Sequence, residues 1–363
     1  MATLHRRRFL AACAATSLMP HITSAAVEPQ EVSWLTEVQT PPTQLPADAK
    51  PLHIIDRNGK PITTQEQWQQ ERSAIRKWWL DFLGPMPAKR DRVPKLEILE
   101  EDRDAGVLRQ RVRYEVEPGI TTEAYILQPL QPKATCPGVA VFHSTVNHSI
   151  RQPAGVEGKP EKAFGLKLAQ RGCVTISPRN YLWPTNEKIV AQPEANRFHE
   201  RHPNSTGMAK MLHDSLVAVD ILCSLPNVDT TRIGSIGHSL GAKEVLYLAA
   251  FDERVKVTIS SEGGVGTKFS NWNADWYLGK GIDSPKFTRE QHELLALAAP
   301  QPFLLVGGDS ADGDKSWPFV EAALPIYKLY DEPARLGLFN HKQGHAVPPI
   351  AEQRFYEWFD AYL

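Results

Sequence analysis

Along residues 64–85 the apolar positions recur at helical spacing, with Trp68, Ile75, Trp78, Trp79 and Phe82 on one stripe. Thr64-Gln65-Glu66-Gln67 supplies a capping box at the start, and Gly84-Pro85 supplies the stop. The stripe reads as core-facing, with a sugar-stacking platform as the alternative. From Lys95 the pattern changes to strands. Leu96 to Leu99 forms one, Val107 to Glu117 alternates apolar and polar side chains at period two, and Thr122 to Leu127 forms another. These predict antiparallel strands that open a mixed sheet. Buried runs then follow at Pro137 to His143, Cys173 to Ser177, the strand before Ser239, Val255 to Ser260, Leu304 to Gly308 and Leu336 to Phe339. Helical stretches separate them, at Ala163 to Arg171, Met208 to Leu225 (Asp214 and Asp220 on its polar positions), Ala242 to Ala250 and the carboxyl terminus. Repeated alternation of this kind predicts an α/β fold with a mostly parallel sheet covered on both faces. Functional groups are then expected at the carboxyl ends of the strands.

Three stretches escape the pattern. Residues 27–62 are rich in Pro and polar groups and read as an extended or partly disordered arm. Residues 178–204 show no clear period and carry Tyr181, Trp183, Arg197, His199 and His202, which suits an insertion that shapes a substrate pocket. Residues 1–26 join Arg6-Arg7-Arg8 to an apolar run, Leu10 to Met19, and to small residues at Ser24-Ala25-Ala26. That order predicts an export signal of twin-arginine type and a periplasmic or secreted protein. Leu10-Ala11-Ala12-Cys13 also looks like a lipoprotein box, though it sits close to the arginines. The organisation expected is a signal over 1–26, an arm and helix over 27–94 and a catalytic domain over 95–363.

Composition narrows the picture. The chain of 363 residues is 42% hydrophobic and 23% charged, with a formal net charge of −1. It is sized for a large core, and no global field draws it to nucleic acid or to anionic lipid. No second run is long enough to span a bilayer. Past the signal, Cys136, Cys173 and Cys223 remain, an odd number that makes no complete disulfide framework. One disulfide between two of them is the alternative to buried thiols. His199, His202 and His213 lack a clear metal-ligand spacing, so neither metal nor cofactor is expected.

The chemistry gathers at Gly237-His238-Ser239-Leu240-Gly241, a G-x-S-x-G turn between a strand and a helix. A serine at the tip of so tight a bend crowds the residues two positions either side, which must be glycine. Its hydroxyl stands clear of the sheet edge, and the amide of Leu240 points at developing negative charge. The turn after the 137–143 strand supplies the second oxyanion amide in this plan, from Ser144 or Thr145. His143 lines the site or anchors that loop. His345, in Gln343-Gly344-His345-Ala346-Val347-Pro348, is the expected base and His341 its competitor. For the acid, Asp312 is slightly favoured, since Asp309, Asp312 and Asp314 follow a late strand. Glu262, flanked by small residues at another strand end, is the rival, with substrate binding or loop bracing as its alternative role. The chain order of serine, acid and histidine fits either.

With these residues in view, residues 95–363 resemble the α/β-hydrolase superfamily, and more narrowly bacterial acetylxylan esterases and dienelactone-hydrolase-like proteins. The strings GHSLGAKEVLYLAAFDERVKVTISSEGG and GGDSADGDKSWPF carry that resemblance. A local similarity to glucuronoyl esterases adds a nucleophile pattern G-C-S-R-x-G-K and an acid Glu on the following strand end. Lys243 matches that lysine, and Glu262 lies 23 residues past Ser239 (262 − 239). Leu240 and His238 depart from it, standing where the family has Arg and Cys. The departure at Leu240 removes a group that would hold a substrate oxyanion. Lys243 is expected to bind a sugar hydroxyl or to pair internally. Phe269, Trp272, Trp276 and Tyr277 are expected to stack on a sugar or to form a packed lid.

The function expected is an exported serine carboxylesterase that hydrolyses carbohydrate-linked esters, on a small-molecule or polysaccharide substrate. A glucuronoyl-esterase-like or prolyl-peptidase-like serine hydrolase is the alternative, and a non-catalytic binding protein of hydrolase fold is a third. A peptidase of that type usually carries a propeller domain, for which residues 27–95 are too short.

Overall fold

The computed structural model of this protein describes residues 31–47, 50–132, 134–330 and 333–363. The expected signal, including Cys13, lies outside the described residues. Nine strands form one sheet in the order β1-β2-β3-β5-β4-β6-β7-β8-β9. They are β1 (Glu97–Asp104), β2 (Val107–Glu117), β3 (Ile120–Pro129), β4 (Cys136–Phe142), β5 (Val174–Pro178), β6 (Val228–His238), β7 (Val255–Ser261), β8 (Phe303–Gly307) and β9 (Leu336–Asn340). β1, β2 and β3 form an antiparallel meander that meets β5 antiparallel, and every pair from β5 to β9 is parallel. β2 keeps a largely period-two burial pattern, whereas β3, which adjoins β5, already carries an unbroken buried run from Thr122 to Leu127, like the parallel strands between their helices.

The helices are α1 (Leu35–Val38), α2 (Gln65–Leu83), α3 (Phe164–Gln170), α4 (Ala191–Arg201), α5 (Gly207–Ser224), α6 (Leu240–Phe251), α7 (His292–Leu297), α8 (Trp317–Tyr327) and α9 (Pro349–Tyr362). Side chains of α2, α5, α6, α7 and α8 share one core cluster with one face of the sheet. Those of α1, α3 and α9 share a second cluster with the opposite face. Thr64 caps α2 through Gln67 N, and Trp68, Ile75 and Trp79 of the helix are buried, so the aromatic stripe faces the core.

Three expectations are revised. The 27–62 arm is anchored rather than loose in its first part: α1 buries Leu35 and Val38, Trp34 stacks on Trp358 at 5.6 Å, and Trp34 Nε1 donates to Glu357. The 178–204 segment contains α4, whose apolar anchors Ala195 and Phe198 are too few to set a period. Asp214 is buried rather than solvated. Its partner Lys210 bridges it (2.7 Å) and Glu117 of β2 (2.8 Å), and His202 reaches Glu117 as well, at 2.8 Å. A buried carboxylate survives only with such partners. No disulfide joins the three cysteines of the described chain.

Candidate active site

The turn between β6 and α6 has the shape that its glycines predict. Ser239 sits at φ 60°, ψ −115°, a conformation that L-residues avoid unless the surroundings impose it. A Cβ on Gly237 would lie 2.2 Å from backbone atoms of Gly241, and one on Gly241 would lie 2.3 Å from the Phe142 carbonyl oxygen. Ser239 N donates to Ser261 O at 2.8 Å, which ties the turn to the end of β7.

Glu262 follows that strand end directly, at φ 56°. Its Oε2 accepts from His345 Nδ1 at 3.0 Å and from Ala311 N at 2.8 Å, and its Oε1 accepts from Gly308 N. The carboxylate is 0% exposed, whereas the His345 side chain is 43% exposed. Burial alone would raise the Glu262 pKa, but the bonds from His345, Ala311 and Gly308 outweigh it and hold the group below the usual glutamate value. The donation from Nδ1 leaves His345 Nε2 as the acceptor nitrogen.

The slightly favoured acid, Asp312, goes elsewhere. It is fully buried and accepts from Gly264 N (2.7 Å), Val265 N (2.8 Å) and Ser316 Oγ (2.8 Å). Its carboxylate therefore braces the loop just past Glu262 instead of reaching His345. Asp309 and Asp314 are held by Asn340 Nδ2, at 2.6 and 2.7 Å. His341 accepts from Gln343 N through Nδ1 at 3.1 Å, a local loop bond.

His238 and His345 have ring centroids 4.7 Å apart, so the residue before Ser239 lies against the histidine that Glu262 holds. Neither Ser239 Oγ nor His345 Nε2 has a hydrogen-bond partner among the described residues. Such bonds are often long without substrate and tighten in the complex. His238 is wholly buried, with Nδ1 3.0 Å from Ser261 Oγ, and burial holds its pKa well below the ordinary value.

Of the amides expected to hold an oxyanion, Leu240 N opens α6. Ser144 N is engaged by Gln152 Oε1 at 3.3 Å, while Thr145 N makes no hydrogen bond among the described residues. His143 anchors the loop: Nδ1 is 2.8 Å from Ser144 O, and Nε2 accepts from Asn180 N at 3.2 Å. Burial depresses its pKa to about 4, so it works as a neutral brace.

Two expected substrate contacts are overturned by burial. Lys243 is 4% exposed; its ammonium donates to Gly263 O and stands 4.0 Å above the Trp272 ring. Burial lowers its pKa to about 7, with Asp312 opposing the shift. Trp272 is 0% exposed and donates to Gly264 O at 2.6 Å. Both belong to the packing beneath the loop. Trp276 is half-buried, and its carbonyl accepts from Tyr181 Oη at 3.3 Å.

Sequence reasoning missed Gln152 and Lys162. Lys162, at the end of a short turn before α3, has no hydrogen-bond or ion-pair partner among the described residues, and its charge acts on Glu262 and His238. A cation just before the helix that follows the oxyanion loop was the available signal. Among the described residues no cluster of His, Cys, Asp or Glu has the grouping of a metal site.

Residues 122–277 match the family model described as the dienelactone hydrolase family. The chain is similar to that family over this stretch, which is less than half of its length, and it is an ester-hydrolysing enzyme. A Bacillus subtilis protein named as the hydrolase YtaP is 26% identical to the esterase over 247 residues, 65% of this chain and 80% of that protein. A glucuronoyl esterase from Solibacter usitatus superposes with a TM-score of 0.67 at 16% identity, covering 88% of this chain and 99% of that one. An acetyl xylan esterase from Paenibacillus sp. R4 gives 0.51 at 14% identity, covering 87% and 98%. At these identities the superpositions speak for the fold of the esterase. No helix among the described residues is long and apolar enough to cross a membrane.

Proposed function

We propose that this esterase is an exported serine carboxylesterase acting on carbohydrate-linked esters, with Ser239 as nucleophile, His345 as base and Glu262 as the group that orients the base. The observation that carries the reading is the 3.0 Å contact from His345 Nδ1 to Glu262, at strand ends adjoining the strained Ser239 turn. Ser239 Oγ attacks the ester carbonyl carbon and gives its proton to His345 Nε2. Glu262 stabilises the imidazolium that forms. The oxyanion is held by the amides of Leu240 and Thr145; a single such donor is worth about 2.7–4 kcal/mol of barrier. Collapse of the tetrahedral intermediate breaks the ester C–O bond, and the departing alcohol takes the proton from His345. Water then hydrolyses the acyl-enzyme by the same route.

Two features support a carbohydrate ester. His345 is 43% exposed and Ser239 half-buried, so an ester on a bulky chain can reach them. The superposing structures include esterases named for glucuronoyl and acetyl xylan substrates. Export rests on the signal read in residues 1–26. Fluorophosphonate labelling tests the nucleophile: the wild-type chain should label and Ser239→Ala should not. A panel of p-nitrophenyl acetate, acetylated xylan and glucuronate methyl ester then ranks the substrates. Failure to turn over any of the three, together with cleavage of a prolyl peptide, would overturn the proposal.

A further inference from the structure

Next to the segment that continues from Thr145 lies a strongly polar cleft of about 730 Å³. Its floor is the outer part of the sheet, where Arg111 and Arg113 of β2 face Tyr125 and Glu123 of β3 across the ladder. Its walls come from Arg151 and from residues 179–187. Glu123 is the hub. It accepts from Arg111 at 2.8 Å, Asn186 at 2.8 Å and Arg113 at 3.4 Å. Arg111 is closed off by Glu100 on its other side.

Arg179 is different. Its side chain is only 11% exposed, yet its partners are remote: Asn186 Oδ1 at 3.4 Å and Glu123 at 3.8 Å, both through Nη1. Nε and Nη2 have no acceptor among the described residues. A guanidinium carries donors in a fixed fork and cannot shed its proton, so a buried one with a free edge favours an anion that fills it. Burial is the largest influence on its pKa and lowers it, with Glu123 and Tyr114 opposing.

The cleft is also tied to the catalytic machinery. Asn180, next to Arg179, donates its amide to His143 Nε2, and His143 directly precedes Ser144 and Thr145. Asn186 accepts from Ser149 Oγ at 3.2 Å, on the loop that continues from Thr145. Arg179 follows β5, and β4 alone separates β5 from β6, which carries Ser239. Two strand spacings make about 10 Å, within reach of a neighbouring sugar on one chain.

We propose that this cleft is a binding subsite for an acidic sugar, carboxylated or sulfated, with Arg179 as its principal anchor. It would hold a charged residue of the same glycan whose ester Ser239 attacks, and in that respect it deepens the function proposed above. Polar walls and a fork-shaped donor suit a carboxylate best, through paired N–H···O bonds.

Calorimetric titration of the full-length protein tests this with three unesterified ligands: a tri-uronate, a sulfated trisaccharide and neutral xylotriose. The expected result is saturable binding of at least one acidic ligand, no binding of xylotriose at comparable concentration, and a loss of about tenfold or more in Arg179→Gln. Arg113→Ser, at a more exposed position, should weaken binding less. The preference between the first two ligands tells carboxylate from sulfate. Circular dichroism and thermal melts report that both variants are folded. If Arg179→Gln fails to fold, Arg113→Ser decides. Absence of acidic binding, or binding that folded variants leave untouched, overturns the subsite while leaving the esterase reading intact. Acidic binding in a protein that hydrolyses no ester would sink the esterase reading and keep the subsite.

Discussion

Glu262 and Asp312 stand on neighbouring strand ends, both buried, and their partners separate them. Glu262 spends one oxygen on His345, whereas Asp312 spends both on backbone amides and Ser316. Glu262→Gln should therefore lower kcat by roughly 10³–10⁴-fold with little change in KM, as loss of the base's orienting group does elsewhere, and also cost some stability through its bonds to Gly308 and Ala311. Asp312→Asn should act chiefly on the fold. It should destabilise the fold by about 1.5–3 kcal/mol, the usual worth of hydrogen bonds to a charged group, with a far smaller effect on kcat. Steady-state kinetics and thermal melts on the same preparations separate the two; a larger kcat loss in Asp312→Asn would exchange the roles of the two carboxylates. At this scale Ser239 and His345 stood out in the sequence as candidates, because a glycine-flanked serine and a late loop histidine are local signals. The carboxylate that meets His345 was not readable. Both carboxylates follow strand ends in the right chain order, and the choice depends on which backbone amides converge on each one, which only the packed loops reveal. Lys243 and Trp272 misled for a related reason: their types suit a sugar site, but burial is not written in residue type.

The elbow between β6 and α6 shows how one element enforces the site. Gly241 lies under Phe142 of β4, so Gly241→Ala must push apart the strand that leads to Ser144 and Thr145 and the helix that opens at Leu240. A loss of activity on every ester, together with a lowered melting temperature, is the expected outcome, read by a p-nitrophenyl acetate assay and calorimetry. Lys243, one turn further along α6, gives a pH signature. Its pKa falls from 10.5 to about 7 on folding, so between those values the unfolded chain binds more protons than the folded one. Stability relative to a Lys243→Met variant should then rise with pH from about 7 to 10.5 and be flat below 7. Paired melts across that range check it, and a flat line over it would show that the lysine stays charged in the folded state. Strands and long helices at this scale were legible from period. The helix α4 was not, because its stripe is held by a short contact with its neighbours rather than by a long apolar face.

At the scale of the molecule, the arm before α2 belongs to the body. Val38 is 1% exposed and packs on Gly337 of β9, where a Cβ would come within 2.3 Å of it. Deleting residues 1–40 should leave the Ser239, His345 and Glu262 geometry in place but lower the melting temperature measurably, since a loss of 1 kcal/mol shifts a chain of this size by about 1–2 °C. An unchanged melt would mean that the arm is dispensable. Its Pro-rich composition concealed this role, because a few anchoring side chains without periodicity look the same as a loose tail.

The anchoring also settles how the two rims of the sheet meet their surroundings. At one rim, β1 is short of apolar groups and bristles with charge, EILEEDRD, which repels a visiting strand. At the other, β9 has no such defence, and Gln39 Nε2 reaches over to the carbonyl oxygens of Ala334 and Leu336. A protease nick ahead of α2 that released the arm would thus uncover this rim and leave it open to stacking against another, even while Ser239 and His345 kept their places.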